Sequence, residues 1–145
     1  MNFNWGAGSP DASLGADTFS VRWHGQLEAL YPETYTFHVT ADDGARLWVD
    51  DKLIATRVFG STITPELRGQ IALPAGRRVN LRLEFIENTG NARARLEWSS
   101  PSQPREVIPQ SQLYPDMVDA ETGTLLAETW TGLPGTDLAV LTNAA

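Results

Sequence analysis

Two adjacent carboxylates, Asp42 and Asp43, followed by Gly44, stand between two runs of alternating apolar residues. Neighbouring carboxylates repel each other unless a cation lies between them. Hard oxygen ligands on a tight, glycine-containing turn suit Ca²⁺. The same residues have a plainer reading, because Asp-Gly is a common hairpin signal and a double Asp at a strand end is often a solvated turn. A second loop, Asn88-Thr89-Gly90-Asn91, offers amide oxygens, and Gly90 supplies the positive φ that a tight loop needs. It too would serve as an ordinary connection. It becomes a ligand loop only if it lies beside Asp42 and Asp43. The run 35–41 leads into the Asp pair and the run 79–86 leads into Asn88, so two runs pointing the same way would put both loops at one end of the fold.

Other candidate chemistry is weaker. Trp23 and Trp98 fall on the apolar parity of their runs, which makes core packing a better account than sugar stacking. Trp48 falls on the opposite parity with Arg46 and Asp50. His24 and His38 sit at polar-facing positions, expected at the surface rather than on a metal. Glu84 and Glu97 could be imagined as a catalytic carboxylate pair. With Arg82, Arg93 and Arg95 nearby, cross-strand ion pairs explain them better. No Ser-His-Asp set, phosphate loop or zinc pattern is present. The chain is expected not to be an enzyme.

The elements that must position these residues are strands. Phe19, Val21 and Trp23 alternate with Ser20, Arg22 and His24; Tyr35, Phe37 and Val39 with Thr36, His38 and Thr40. The same period-two pattern runs through 45–50, 79–86 and 92–99, with a shorter stretch at Ile71 and Leu73. Period two means strands with one buried face. Asp50-Asp51-Lys52, Pro74-Ala75-Gly76 and the loop at 88–91 punctuate them. Residues 104–115, with Pro104, Pro109 and Pro115, read as an extended segment packed through Ile108, Leu113 and Tyr114. Several short strands with regular turns predict an all-β antiparallel sandwich.

Length and composition bound the rest. The 145 residues suffice for one domain with a core, and the net charge is −7, from 11 basic and 18 acidic residues. That balance argues against a nucleic-acid partner. There is no cysteine, which excludes a disulfide framework and a thiolate metal site. No apolar run approaches the ~18 residues of a membrane span. The N-terminus lacks the basic and apolar regions of a signal peptide, so the expectation is a piece of a larger protein or an export signal placed elsewhere.

An ordered set of segments resembles the PA14 domain family: Phe19 to Gly25, Tyr35-Thr36-Phe37, Asp42 to Asp50, Leu81 to Phe85, Glu87 to Gly90, Ala94 to Trp98, and Ile108-Pro109. The match runs from the strand of Val21 to Tyr114. The resemblance implies a PA14-type β-sandwich and an extracellular or cell-surface module. In lectin-like members of that family, two consecutive aspartates joined by a cis peptide bind Ca²⁺, and the ion coordinates vicinal hydroxyls of a sugar. Asp42 and Asp43 occupy that position. A further side-chain ligand comes from a later loop, where Asn88 is the nearest match and Glu87 and Asn91 compete with it. The implied function is a calcium-dependent carbohydrate-binding (adhesion) module of an extracellular repeat protein, with a glycan as partner. The alternatives are a ligand-free spacer or fibre-forming repeat, or an accessory domain of a glycosidase.

Two departures qualify the resemblance. Thr56-Arg57-Val58-Phe59 replaces the family's usual Asp-x-Trp, and the family's opening Gly-Leu-aromatic strand is missing ahead of residue 3. A segment like that strand appears instead at Gly123 to Leu133. The expected organisation is a sandwich over residues 1–115, an acidic linker at 116–123, and a strand segment at 124–145. That last segment is expected to complete the same sandwich or a neighbouring copy, burying Leu126, Trp130 and Leu138.

Overall fold

The alternating segments form strands, and the strands form two sheets. The structure is a computed structural model that describes residues 1–57 and 66–115 together with the backbone of residues 126–131. The strands are β1 (Asn2–Gly6), β2 (Phe19–Glu28), β3 (Glu33–Asp42), β4 (Gly44–Val49), β5 (Lys52–Arg57), β6 (Glu66–Leu73), β7 (Arg78–Glu87), β8 (Ala92–Ser99), β9 (Glu106–Val107), β10 (Leu113–Tyr114) and β11 (Leu126–Thr131), with one 3-10 turn at Gln110–Gln112. One sheet has the order β1-β8-β3-β6, with β9 also on β8; the other has the order β10-β2-β7-β4-β5, with β11 also on β2. All these strand pairs are antiparallel.

The inner faces meet in one core. Phe19, Val21, Trp23 and Leu27 of β2 pack with Leu81, Leu83 and Phe85 of β7 and Leu47 and Val49 of β4. Tyr35, Phe37, Val39, Leu96 and Trp98 face them from the other sheet. Trp98 is fully buried and Trp23 nearly so, as their parity predicts. Phe3 and Trp5 of β1 stack parallel to Trp23, at 5.4 and 6.3 Å between ring centroids, and so roof one margin of the core. Ile108 is buried and Leu113 packs against the core, so the proline-rich segment is held by its apolar residues.

Alternation did not single out β1 and β5, and the reason is local. Both carry a register irregularity, between Asn4 and Gly6 and opposite Leu47/Trp48, and a bulge breaks the period that alternation relies on. The β4–β5 turn is a two-residue hairpin with Asp50 and Asp51 both at positive φ (49° and 60°), a conformation Asp tolerates better than most residues. Phe59 and the rest of 58–65, the linker at 116–123, and Leu138 lie outside the described residues.

One expectation needs correction. His38 does face outward, but it is only 7% exposed, with Nε2 3.1 Å from Ser99 Oγ and Nδ1 3.5 Å from Glu66. Glu66 is in turn bound by Arg68 and Arg105. Parity assigns the face of a sheet, not what a neighbouring ion network lays over it. The ladder of β11 on β2 sets Leu126 opposite His24 and Trp130 opposite Ser20.

Candidate functional site

The site is built where β3 ends. Ala41, at the last inward position of β3, is buried, which anchors the chain just before it leaves the sheet. Asp42 and Asp43 follow, joined by a cis peptide bond, and Gly44 then starts β4 in the opposite sheet. The Asp pair is therefore the crossing between the two sheets. Asp43 N–H donates to Ile86 O (3.2 Å), which ties the crossing to the end of β7.

The loop after β7 lies beside it, as the shared direction of the two strands predicts. Asn88 and Thr89 donate their backbone N–H groups to Asp43 Oδ2, at 2.7 and 3.2 Å. Asn88 O accepts from Thr18 N–H (3.0 Å), and Gly90 N–H donates to Asp17 Oδ1 (3.0 Å). Gly90 has φ 104°, in the region glycine alone enters freely. On the other side, Arg57 donates through Nε to Asp43 O (3.3 Å) and through its terminal nitrogen to Ala41 O. The Asp pair is thus clamped by an arginine on the carbonyls of Ala41 and Asp43 and by loop amides on one carboxylate.

Asn88 meets Asp43 through its backbone. The side chains of Asn88 and Asn91 are exposed, as is Asp42, while Asp43 is half-buried. Glu87 is the exceptional member. It is fully buried, and neither of its carboxylate oxygens has a hydrogen-bond partner. Burial pushes its pKa up to about 7, reinforced by the charges of Asp43, Asp42 and Asp17. Glu87 is thus a carboxyl without a hydrogen-bond donor that feels the charges of Asp43, Asp42 and Asp17.

The donor set consists of hard oxygens, and it fits Ca²⁺ better than a softer metal. Among the described residues, no three His, Cys, Asp or Glu side chains converge as a complete ligand group. An ion held by Asp42 and Asp43 would therefore take its remaining oxygens from the 87–91 loop, its carbonyls and Asn88 above all, and from water.

Sequence reasoning named Asp42, Asp43, Glu87, Asn88 and Asn91, but missed Asp17 and Arg57. Both are remote in sequence and reach the site through loop and strand-end geometry. Residues of one charge near an Asp pair leave no periodic trace. Glu84 and Glu97 are apart, in different sheets. Glu84 is paired with Arg22 (3.0 Å), which stands directly opposite it, and Glu97 with Arg95 and Arg105 (2.9 and 2.7 Å). Trp48 lies on the outer face under the Arg82 guanidinium, 3.9 Å from its ring centroid. It lines a cavity of about 420 Å³ with His24, Asp51, Asn80 and Arg82, toward the β4–β5 turn rather than toward the Asp pair.

Comparison with known proteins agrees with this architecture. Residues 1–112 match the PA14 domain model, so the similarity begins at β1 rather than at the strand of Val21. Anti-sigma-I factor RsgI3 of Acetivibrio thermocellus is 48% identical over 115 residues, 79% of this chain and 18% of that protein. An anti-sigma factor domain-containing protein from Clostridium clariflavum superposes with a TM-score of 0.74 at 42% identity, covering 79% of this chain and 39% of that one. The A domain of Epithelial Adhesin 6 from Candida glabrata, solved in complex with Galb1-3GlcNAc, shares the fold with a TM-score of 0.66 at 19% identity, covering 94% of this chain and 71% of that one. This chain thus spans well under half the length of its two more identical relatives.

Proposed function

The chain belongs to the PA14 domain family, and from that premise we propose that it is a calcium-dependent glycan-binding module of a larger extracellular or surface-exposed protein. The observation that carries the reading is the meeting of Asp43 with the Asn88–Thr89 backbone, beside a buried Glu87 that has no donor of its own. Two loops distant in sequence are locked together around a cluster of carboxylates at the exposed end of the sandwich. Such a cluster repels itself without a cation. Asp42, Asp43 and Asn88 hold Ca²⁺ in this reading. Asn91, on the exposed side of the loop, contacts the sugar together with them. When bound, the ion supplies positive charge to the hydroxyl oxygens of a neutral sugar. Arg57, Asp17 and Thr18 act from behind, fixing the backbone so that the carboxylates stay aimed at one place.

The names of the more identical relatives favour a recognition module within a regulatory protein over a repeat of an adhesin. The sugar-bound adhesin domain that shares the fold supports a glycan as ligand. Few atoms of a monosaccharide contact such a site, so Kd is about 1 mM, near −4 kcal/mol, and gains come from multivalency. A glycan array read in calcium and in chelator tests the proposal. Chelator-sensitive binding to a defined glycan class is expected. Absence of any such signal, with the protein folded, would leave a spacer role as the better account.

A further inference from the structure

The cavity beside Trp48 takes no part in the chemistry of the Asp pair. It lies on the outer face of the sheet, at the end of β4 remote from Gly44, and holds about 420 Å³. Two ladders build it. His24 of β2 pairs with Arg82 of β7, and Arg82 pairs with Trp48 of β4, so the three form one row across the sheet. Beside that row, Asn80 of β7 reaches Asp51 in the β4–β5 turn and donates to its two carboxylate oxygens at 3.1 and 3.3 Å. The cavity thus has a guanidinium at one end and an amide–carboxylate pair at the other.

Arg82 is the residue that points to a ligand. Its guanidinium is held 3.9 Å from the Trp48 ring centroid, and its side chain is 45% exposed. Its ion-pair partner Glu84 stands 3.8 Å away, beyond hydrogen-bond reach, and Glu84 already accepts from Arg22 at 3.0 Å. Among the described residues, Arg82 donates no hydrogen bond. An arginine fork fixed by an aromatic ring, with its N–H groups uncommitted, matches a carboxylate. The local charge agrees. Arg46 lies 6.0 Å from the same ring, and its Nε and one terminal nitrogen are buried without a hydrogen-bond partner. Two guanidiniums therefore share Trp48, in a chain whose net charge is −7.

We propose that this cavity is a second saccharide site, selective for a sugar that carries a carboxylate, a uronate. The carboxylate takes the Arg82 fork in a charge-assisted pair. The ring hydroxyls donate to Asp51 and to the amide oxygen of Asn80. Asp51 repels the sugar's carboxylate and so fixes which end of the ring enters first. Arg82 covers the Trp48 ring, which makes the tryptophan a backing for the cation rather than a stacking platform. That is why the site selects a charged sugar over a neutral one. A carboxylate without a ring offers nothing to Asp51 and Asn80 and is held more weakly. The site shares no residue with the Asp pair and needs no calcium, so it stands or falls apart from the calcium reading.

The test is an NMR titration of the full chain in chelator, following the indole N–H of Trp48 and the Nε–H of Arg82. Trp48→Phe and Arg82→Gln identify the two signals. The probes are methyl β-D-glucuronide, the neutral methyl β-D-glucoside and acetate. The glucuronide is expected to shift both signals with Kd on the order of 1 mM, and the glucoside and acetate to bind about tenfold more weakly. Arg82→Gln should weaken the glucuronide by a similar factor, and Asp42→Asn/Asp43→Asn should leave it unchanged. Equal affinity for glucuronide and glucoside would overturn the carboxylate selectivity. Equal affinity for glucuronide and acetate would overturn the saccharide reading and leave an anion site. Shifts confined to the amides of residues 88–91, or no shift with any probe, would overturn the second site. These comparisons are made on the unsubstituted protein and hold even where Arg82→Gln fails to fold.

Discussion

Glu87→Gln isolates the electrostatic cost of the carboxylate cluster. Glu87 is fully buried without a donor, and its pKa is pushed up to about 7 by burial first and then by Asp43, Asp42 and Asp17. The native state therefore holds this proton more tightly than the unfolded chain, where the carboxyl titrates at the ordinary glutamate value of 4.5. Below that value both states are protonated and the group is neutral toward stability. As pH rises through the window, the unfolded state loses its proton first. Stability then falls by up to about 1.4 kcal/mol per pH unit, and the loss is complete once the native carboxyl has ionised near 7. Over 2.5 units the ceiling is about 3 kcal/mol, and water reaching the exposed loop trims it to between about 1 and 3 kcal/mol. Gln keeps the shape without the charge. In chelator, Glu87→Gln should melt with a margin over the unsubstituted protein that grows by roughly 4–10 °C between pH 4.5 and 8. In calcium that margin should shrink, because a cation among the aspartates offsets the repulsion that raises the Glu87 pKa. A margin in chelator that is the same at both pH values would refute the reasoning.

Other outcomes follow from single contacts. Asp43→Asn keeps an acceptor for the Asn88 and Thr89 amides, whereas Asp43→Ala removes it; in chelator the Ala variant should be less stable than the Asn variant by about 1–2 kcal/mol, with faster hydrogen exchange at those two amides. A Cβ on Gly69 would stand 2.3 Å from Ile54 O and 2.7 Å from Ile54 C, where β6 presses against the backbone of β5, so Gly69→Ala should destabilise by about 1–3 kcal/mol in a denaturant titration. Glu66, held down to about 2 chiefly by its hydrogen bond from Arg68, should act in the opposite sense to Glu87. Its contribution is present above pH 4.5 and is lost as pH falls toward 2, so Glu66→Gln should cost about 1 kcal/mol at neutral pH after solvent screening, and nothing in melts run below pH 2.

Much of this architecture is legible in the residues because its strands are half-buried and regular. Phe19, Val21 and Trp23, or Leu81, Leu83 and Phe85, declare their inner face by period two, and the core is where that period puts it. The period fails where the backbone bulges, at β1 and β5, and it says nothing about exposure on the outer face, where Glu66 and Ser99 enclose His38. The site divides along the same line. Asp42 and Asp43 are visible as an unusual dipeptide at a strand end, and the direction of two strands brings the Asn88 loop to them. Asp17 and Arg57 are not visible, since each acts on backbone atoms or loop amides from a distant part of the chain. The backbone role of Asn88 is equally silent, because any residue but proline at that position would donate the same N–H to Asp43.

The measurement that bears most directly on the proposed function is a calorimetric titration of calcium into chelator-treated protein, repeated on Asp42→Asn/Asp43→Asn. One ion per chain with a micromolar to millimolar Kd is expected, lost in the double variant, with the melting temperature of the unsubstituted protein raised by bound ion in proportion to RT ln(1 + [Ca²⁺]/Kd). No heat of binding and an identical melting temperature in calcium and in chelator would contradict the account.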